Sequence, residues 1–214
     1  MKRYAIFDFD GTLVDSMPLW NDLGKRFLQT KGIEAPENLQ AIIQTMTLQQ
    51  SARYMIEQFH LQSTIEQVMN DIKQLIERQY IEEVPLKPYV AAFLHYLHEH
   101  KVKMGIVTAS EHSHVKAALQ RLQIDAYFDF ILTCTEVGLD KNQPNIYWLA
   151  AERWGTHPDE VMVFEDALNA LQSAKQGGFY TIGVYDRSVE KEKEMCRKIS
   201  DRYIMDFSEW GDSL

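Results

Sequence analysis

Two hydrophobic periods alternate along this chain, and where one gives way to the other the sequence divides. Residues 3–9 contain an unbroken apolar run, Tyr4-Ala5-Ile6-Phe7, that reads as a core strand. From Ser16 to about Glu82 the spacing turns helical, and four helices near 17–31, 36–44, 47–60 and 64–82 account for it. Ser16 with Pro18 suits a helix start and Gly32 a stop, while Thr47-x-x-Gln50 and Ser63-x-x-Glu66 read as capping boxes. After Pro85 short apolar runs at 102–108, 128–132, 161–164 and 180–184 alternate with amphipathic helices. Val90, Phe93, Leu94 and Leu97 mark one helix face, and Val115, Ala118, Leu119 and Leu122 another.

That alternation predicts an α/β fold with a mostly parallel sheet. The first strand must join the sheet across the helical stretch, so the chain reads as a core of residues 1–15 and 84–214 interrupted by an all-α insert, 16–83. Residues 11–15 and 83–88 become candidate hinges. The charged run Glu190–Lys198 reads as a solvated helix face.

Chemistry gathers where the strands end. Asp8 and Asp10 would share one side of a regular strand, and Gly11 then lets the chain turn sharply. Two carboxylates so close repel unless a cation or a shared proton relieves them. After the strand Met104–Thr108 come Ala109 and Ser110, where a hydroxyl and backbone N–H groups either hold phosphate oxygens or cap the next helix. Lys141 lies just ahead of a helix. The run Val161–Phe164 ends in Glu165-Asp166, which reads as hard oxygen ligands for magnesium or as an acid-rich helix start.

Composition narrows the partners. A net charge of −9, from 31 acidic and 22 basic residues, disfavours nucleic acid and anionic lipid. It leaves room for an anionic substrate held locally by a lysine, a metal ion and backbone N–H groups. No stretch approaches the roughly 18 apolar residues of a membrane span, and Met1-Lys2-Arg3 leads into a strand without a signal-peptide pattern, so a cytoplasmic location is expected. Cys134 and Cys196 lack metal or redox spacing and read as reduced thiols.

The run Asp8-Phe9-Asp10-Gly11-Thr12 resembles the nucleophile motif of the haloacid dehalogenase superfamily, composed mainly of phosphatases and phosphomutases. Three further motifs follow in the superfamily's order. Thr108-Ala109-Ser110 stands in the second. Lys141, Pro144 and Tyr147 resemble a Lys-Pro-x-Pro-Asp-x-Tyr third motif, with Asn142 and Asn145 replacing Pro and Asp. Glu165-Asp166 resembles a Glu-Asp-Ser-x-x-Gly fourth motif, with Ala167 and Ala170 replacing Ser and Gly. The likeness spans nearly the whole chain and is nearest the branch of β-phosphoglucomutase and many small-molecule phosphatases. It implies a Rossmann-like, doubly wound parallel core carrying a helical cap.

The same resemblance implies a mechanism. Asp8 would attack phosphorus and form an aspartyl-phosphate, while Asp10 would protonate the leaving alcohol and then activate water. Mg²⁺ would be held by Asp8, the Asp10 carbonyl and Asp166, with Glu165 close by, and Thr108, Ala109 and Lys141 would bind the phosphate. In β-phosphoglucomutase a histidine stands at the position of Trp20, and basic residues where Gln44 and Leu48 align, so these neutral replacements favour a phosphatase acting on a small phosphorylated metabolite. A phosphomutase, or a member that binds a phosphorylated ligand without turnover, are the alternatives. Trp20, Thr45 and Met46 face the substrate in one reading; in another, Trp20 and Met46 belong to the cap's own core. A cap that opens and closes fits a monomer.

Overall fold

The computed structural model describes residues 2–213 and divides into two units, Met1–Ser16 with Pro85–Leu214, and Met17–Val84. Each boundary lies one residue beyond the expected position. In the larger unit six parallel strands form one sheet: β1 (Tyr4–Phe7), β2 (Lys103–Thr108), β3 (Phe128–Thr133), β4 (Val161–Glu165), β5 (Tyr180–Val184) and β6 (Arg202–Ile204), in the order β3-β2-β1-β4-β5-β6. Parallel neighbours need crossovers, which this unit's helices supply.

β1 lies inside the sheet and carries apolar side chains to both faces. Ile6 packs with Val107, Leu132, Ile146, Tyr147 and Val163. Phe7 stacks on Phe164 at 4.5 Å between ring centroids, and Phe164 also meets Phe207 and Trp210. Ala5, Ile6 and Phe7 are all inaccessible to solvent, and a fully buried phenylalanine contributes about 1.5–3 kcal/mol. This double burial is why the run shows no polar alternation.

The smaller unit is all helical, with α1 (Met17–Thr30), α2 (Leu39–Ile43), α3 (Leu48–Phe59) and α4 (Ile65–Glu82). α4 buries Val68, Ile72, Ile76, Gln79 and Tyr80 on one stripe, and α1 buries Leu19, Gly24, Phe27 and Leu28. Gly24 permits close packing: a Cβ there would stand 2.6 Å from Ile43 Cδ1. The remaining helices belong to the larger unit: α5 (Val90–Glu99), α6 (His112–Arg121), α7 (Cys134–Val137), α8 (Asn145–Glu152), α9 (Leu168–Gln176) and α10 (Lys193–Ile199).

Several expectations need correction. α2 begins at Leu39 rather than 36, because it forms only after the turn at Pro36. The Thr47–Gln50 capping box is present, but the second box joins Thr64 to Gln67, one residue beyond Ser63 and Glu66. β1 ends at Phe7, so Asp8 and Asp10 lie beyond regular strand geometry. The run at 190–198 is two segments, a 3-10 turn at Arg187–Glu192 followed by α10. β6 had no sequence signal. No described helix is long and apolar enough to cross a membrane.

Candidate active site

β1, β2 and β4 end together because they are parallel and in register, with Phe7 opposite Ile106 on β2 and Phe164 on β4. β1 is also where strand order reverses, and ligands of open α/β sheets bind at the carboxyl edge there. Asp8 follows β1, Thr108 closes β2, Glu165 closes β4 and Asp166 follows it. One carboxylate oxygen from each of Asp8, Glu165 and Asp166 lies within 4.8 Å of the others, and all three residues are buried.

One ammonium serves this acidic cluster directly. Lys141 Nζ donates to Asp8 Oδ1 at 2.5 Å and to Glu165 Oε1 at 2.7 Å. The Tyr147 hydroxyl donates to the same Glu165 oxygen at 2.9 Å, whereas Glu165 Oε2 is buried without a hydrogen-bond partner. Gly11, at φ +80°, brings the turn against Asp166, whose Oδ1 accepts from the Thr12 hydroxyl at 3.3 Å.

The electrostatics follow from crowding. Burial first, and the Glu165 charge second, hold the Asp8 carboxyl well above its ordinary range. The same two causes push Asp166 up to about 7. Burial alone would lower Lys141, but the charges of Asp8 and Glu165 outweigh it and keep the ammonium protonated far above the usual range. Burial, then Glu165, raises the Tyr147 phenol. Three buried acids share one directly bonded lysine, so they ionise together only when further positive charge arrives, and the bare Glu165 Oε2 has the chemistry of a hard-metal ligand. These residues fit Mg²⁺.

Asp10 stands apart from that cluster. Its carboxylate accepts the Ser16 hydroxyl at 2.6 Å and the Ser110 hydroxyl at 2.5 Å. Thr108 is buried and its Oγ1 accepts the Ser110 N–H at 3.0 Å; Ala109 is exposed at the strand end. The Ser110 hydroxyl, expected to hold phosphate or cap the next helix, is instead bonded to Asp10, and Ser16 and the Tyr147 hydroxyl had not been singled out as site groups. Ser16 reads first as a helix start, and only the retained Tyr147 of the third motif carried a hint.

In the helical unit, Trp20 and Met46 line one pocket of about 240 Å³ with Leu23, Ile43, Leu48 and Met55. Trp20 is half-buried and donates its indole N–H to the Tyr80 hydroxyl at 3.2 Å. Thr45 is exposed in the turn beside Met46 and does not line that pocket.

The model of the haloacid dehalogenase-like hydrolases matches residues 5–184. The chain belongs to this family. It is 27% identical over 83% of its length to a phosphorylated carbohydrates phosphatase of Thermotoga maritima, covering 82% of that protein. It is 25% identical over 86% to the fructose-1-phosphate phosphatase of Escherichia coli K12, covering 97%. Among solved structures it superposes on a β-phosphoglucomutase-like protein of Thermotoga maritima with a TM-score of 0.84 and 25% identity, over 95% of this chain and 94% of the other. The doubly wound sheet is thus that of the haloacid dehalogenase-like hydrolases.

Proposed function

We propose that this haloacid dehalogenase-like hydrolase is a Mg²⁺-dependent phosphatase that cleaves a small phosphomonoester, such as a sugar phosphate, through an aspartyl-phosphate on Asp8. The observation that carries the reading is the buried Asp8, Glu165 and Asp166 cluster, bridged by Lys141 at the sheet's reversal point. The phosphatase names of the relatives support the reaction class.

Each residue then has a task. Asp8 attacks phosphorus in line, and Asp10, oriented by the Ser16 and Ser110 hydroxyls, delivers a proton to the departing alcohol. Asp10 afterwards takes a proton from the water that opens the aspartyl-phosphate. Thr108, the Ala109 backbone and Lys141 hold phosphate oxygens. Lys141 is already bonded to Asp8 and fixes that carboxylate's orientation. Asp8, Asp166 and the Asp10 carbonyl would hold Mg²⁺, with Glu165 beside them. When bound, the metal supplies the charge neutralisation that lets a carboxylate approach a phosphate.

Trp20 and Met46, which line the pocket of the helical unit, are assigned to selecting the leaving group, with Thr45 in the turn beside Met46 as an outer contact. Gln44 and Leu48 offer no positive charge to a second phosphate, which favours water over a sugar phosphate hydroxyl as acceptor. The test is phosphate release from sugar phosphates, nucleotides and phosphorylated acids, with and without Mg²⁺, beside Asp8→Asn. Magnesium-dependent release that the variant lacks is expected. Release that survives Asp8→Asn sinks the assignment.

A further inference from the structure

The geometry points to Lys87 as a positioning residue that fixes the direction of the Asp10 carbonyl, an inference that rests on the phosphatase reading. Lys87 lies where the chain re-enters the larger unit. Its backbone N–H donates to Leu13 O at 3.0 Å, beside an antiparallel bridge between Val14 and Leu86. The side chain is 10% exposed, and its ammonium donates to Gly11 O at 2.6 Å, Tyr185 O at 2.5 Å and the Asp186 carboxylate at 2.9 Å.

An ammonium has three N–H donors, and three acceptors take them. Lys87 therefore has none to offer a phosphate, which separates it from Lys141. Its carboxylate partner is held in turn: Asp186 Oδ1 accepts the Ser188 N–H at 2.8 Å and the Ser188 hydroxyl at 2.6 Å. A chain of bonds thus runs from the loop after β5 to the turn after β1.

That chain ends on a glycine with unusual freedom. Gly11 sits at φ +80°, a region it enters and leaves at little cost. Its N–H is taken by Val14 O at 2.9 Å and its carbonyl by Lys87. Because a trans peptide is planar, fixing the Gly11 N–H also fixes the Asp10 C=O pointing the opposite way. Val14 and Lys87 therefore hold both sides of Gly11, and the Asp10 carbonyl, the one backbone group in the proposed metal set, is aimed by them. Lys87 and Asp186 also form a charge pair whose members act on Asp166 with opposite sign.

The charge-balanced double variant Lys87→Met/Asp186→Asn removes the tether without leaving a lone buried charge. Calorimetric titration of Mg²⁺ into the metal-free protein should show binding weakened by about 10-fold, typical of a lost outer-shell partner. At saturating Mg²⁺, kcat should fall by about 10- to 100-fold with KM unchanged. Lys87→Gln, which fills most of the same volume and keeps an amide donor, is measured in the same way in case the double variant does not fold. A folded variant whose Mg²⁺ affinity and kcat stay within about twofold of wild type overturns the inference, as does a rise in KM with kcat intact. Wild-type protein that neither binds Mg²⁺ nor releases phosphate overturns the phosphatase reading instead.

Discussion

Gly11 and Asp166 stand so close that a Cβ on Gly11 would lie 2.5 Å from Asp166 Oδ2. The position also has φ +80°, so a side chain meets both a strained backbone and a buried carboxylate that must shift. Gly11→Ala should cost about 1–3 kcal/mol in backbone strain and displace Asp166. We expect phosphatase activity to fall by at least about 100-fold, as misplacement of about 1 Å can do, with a lower melting temperature. Near wild-type kcat in steady-state assays would contradict this.

Asp8→Asn separates chemistry from stability. In the proposed mechanism the amide cannot replace the nucleophilic carboxylate, so turnover should vanish. The fold should survive, because the substitution removes a carboxyl that burial and Glu165 already disfavour as an anion. At neutral pH in EDTA the variant should melt no lower than wild type. A much lower melting temperature would mean that the Lys141–Asp8 contact holds the fold together rather than orienting the nucleophile.

Without metal, stability should fall as pH rises through the range below neutrality. The Asp166 carboxyl titrates at about 7 in the folded protein against 3.8 as an ordinary aspartate, so the folded state keeps a proton that the unfolded chain releases between those values. Asp8 acts in the same direction. Asp186 and Asp201 act in the opposite direction. Despite burial, hydrogen bonds from Ser188 and Lys87 hold Asp186 low, and those from Lys175 and Thr181 hold Asp201 low. Their contribution is lost only below the usual carboxylate range, outside this window. Mg²⁺ competes with the bound protons, so its stabilising effect should be small near pH 4.5 and grow towards pH 8, on the order of the Asp166 titration range. Thermal melts in Mg²⁺ and in EDTA across that range provide the check; a pH-independent increment would disprove the coupling.

Trp20 tests what the helical pocket does. Trp20→Ala removes a pocket wall and the hydrogen bond to Tyr80. If the pocket selects the leaving group, kcat/KM across a substrate panel should be re-ranked by about 10-fold or more for bulky esters, with smaller change for the smallest one. A uniform loss that tracks a lower melting temperature would assign Trp20 to the unit's own core.

The parallel sheet and the acidic strand ends were legible because each rests on a local signal: an apolar run, then a carboxylate. The second capping box was not, since Ser63/Glu66 and Thr64/Gln67 satisfy the same spacing and only the hydrogen bonds distinguish them. β6 escaped because it has three residues, of which Ile204 alone is buried. Lys87 fell inside the candidate hinge 83–88 and carried no signal of its own. Its value comes from Gly11 and Asp186, which are 76 and 99 residues away, and no local pattern encodes such a meeting. Lys141 was read as a phosphate ligand from its motif, but its bonds to Asp8 and Glu165 became visible only in three dimensions.

The segments that lead out to the helical unit and back are hydrogen-bonded to each other, Asp15 N to Pro85 O and Lys87 N to Leu13 O. Topologically, 68 residues between Met17 and Val84 are the loop of a hairpin. A loop whose ends are already clamped costs little extra entropy when its length changes. Evolution or an engineer can therefore lengthen, shorten or exchange the whole helical module at that clamp while the sheet and its acids stay in place.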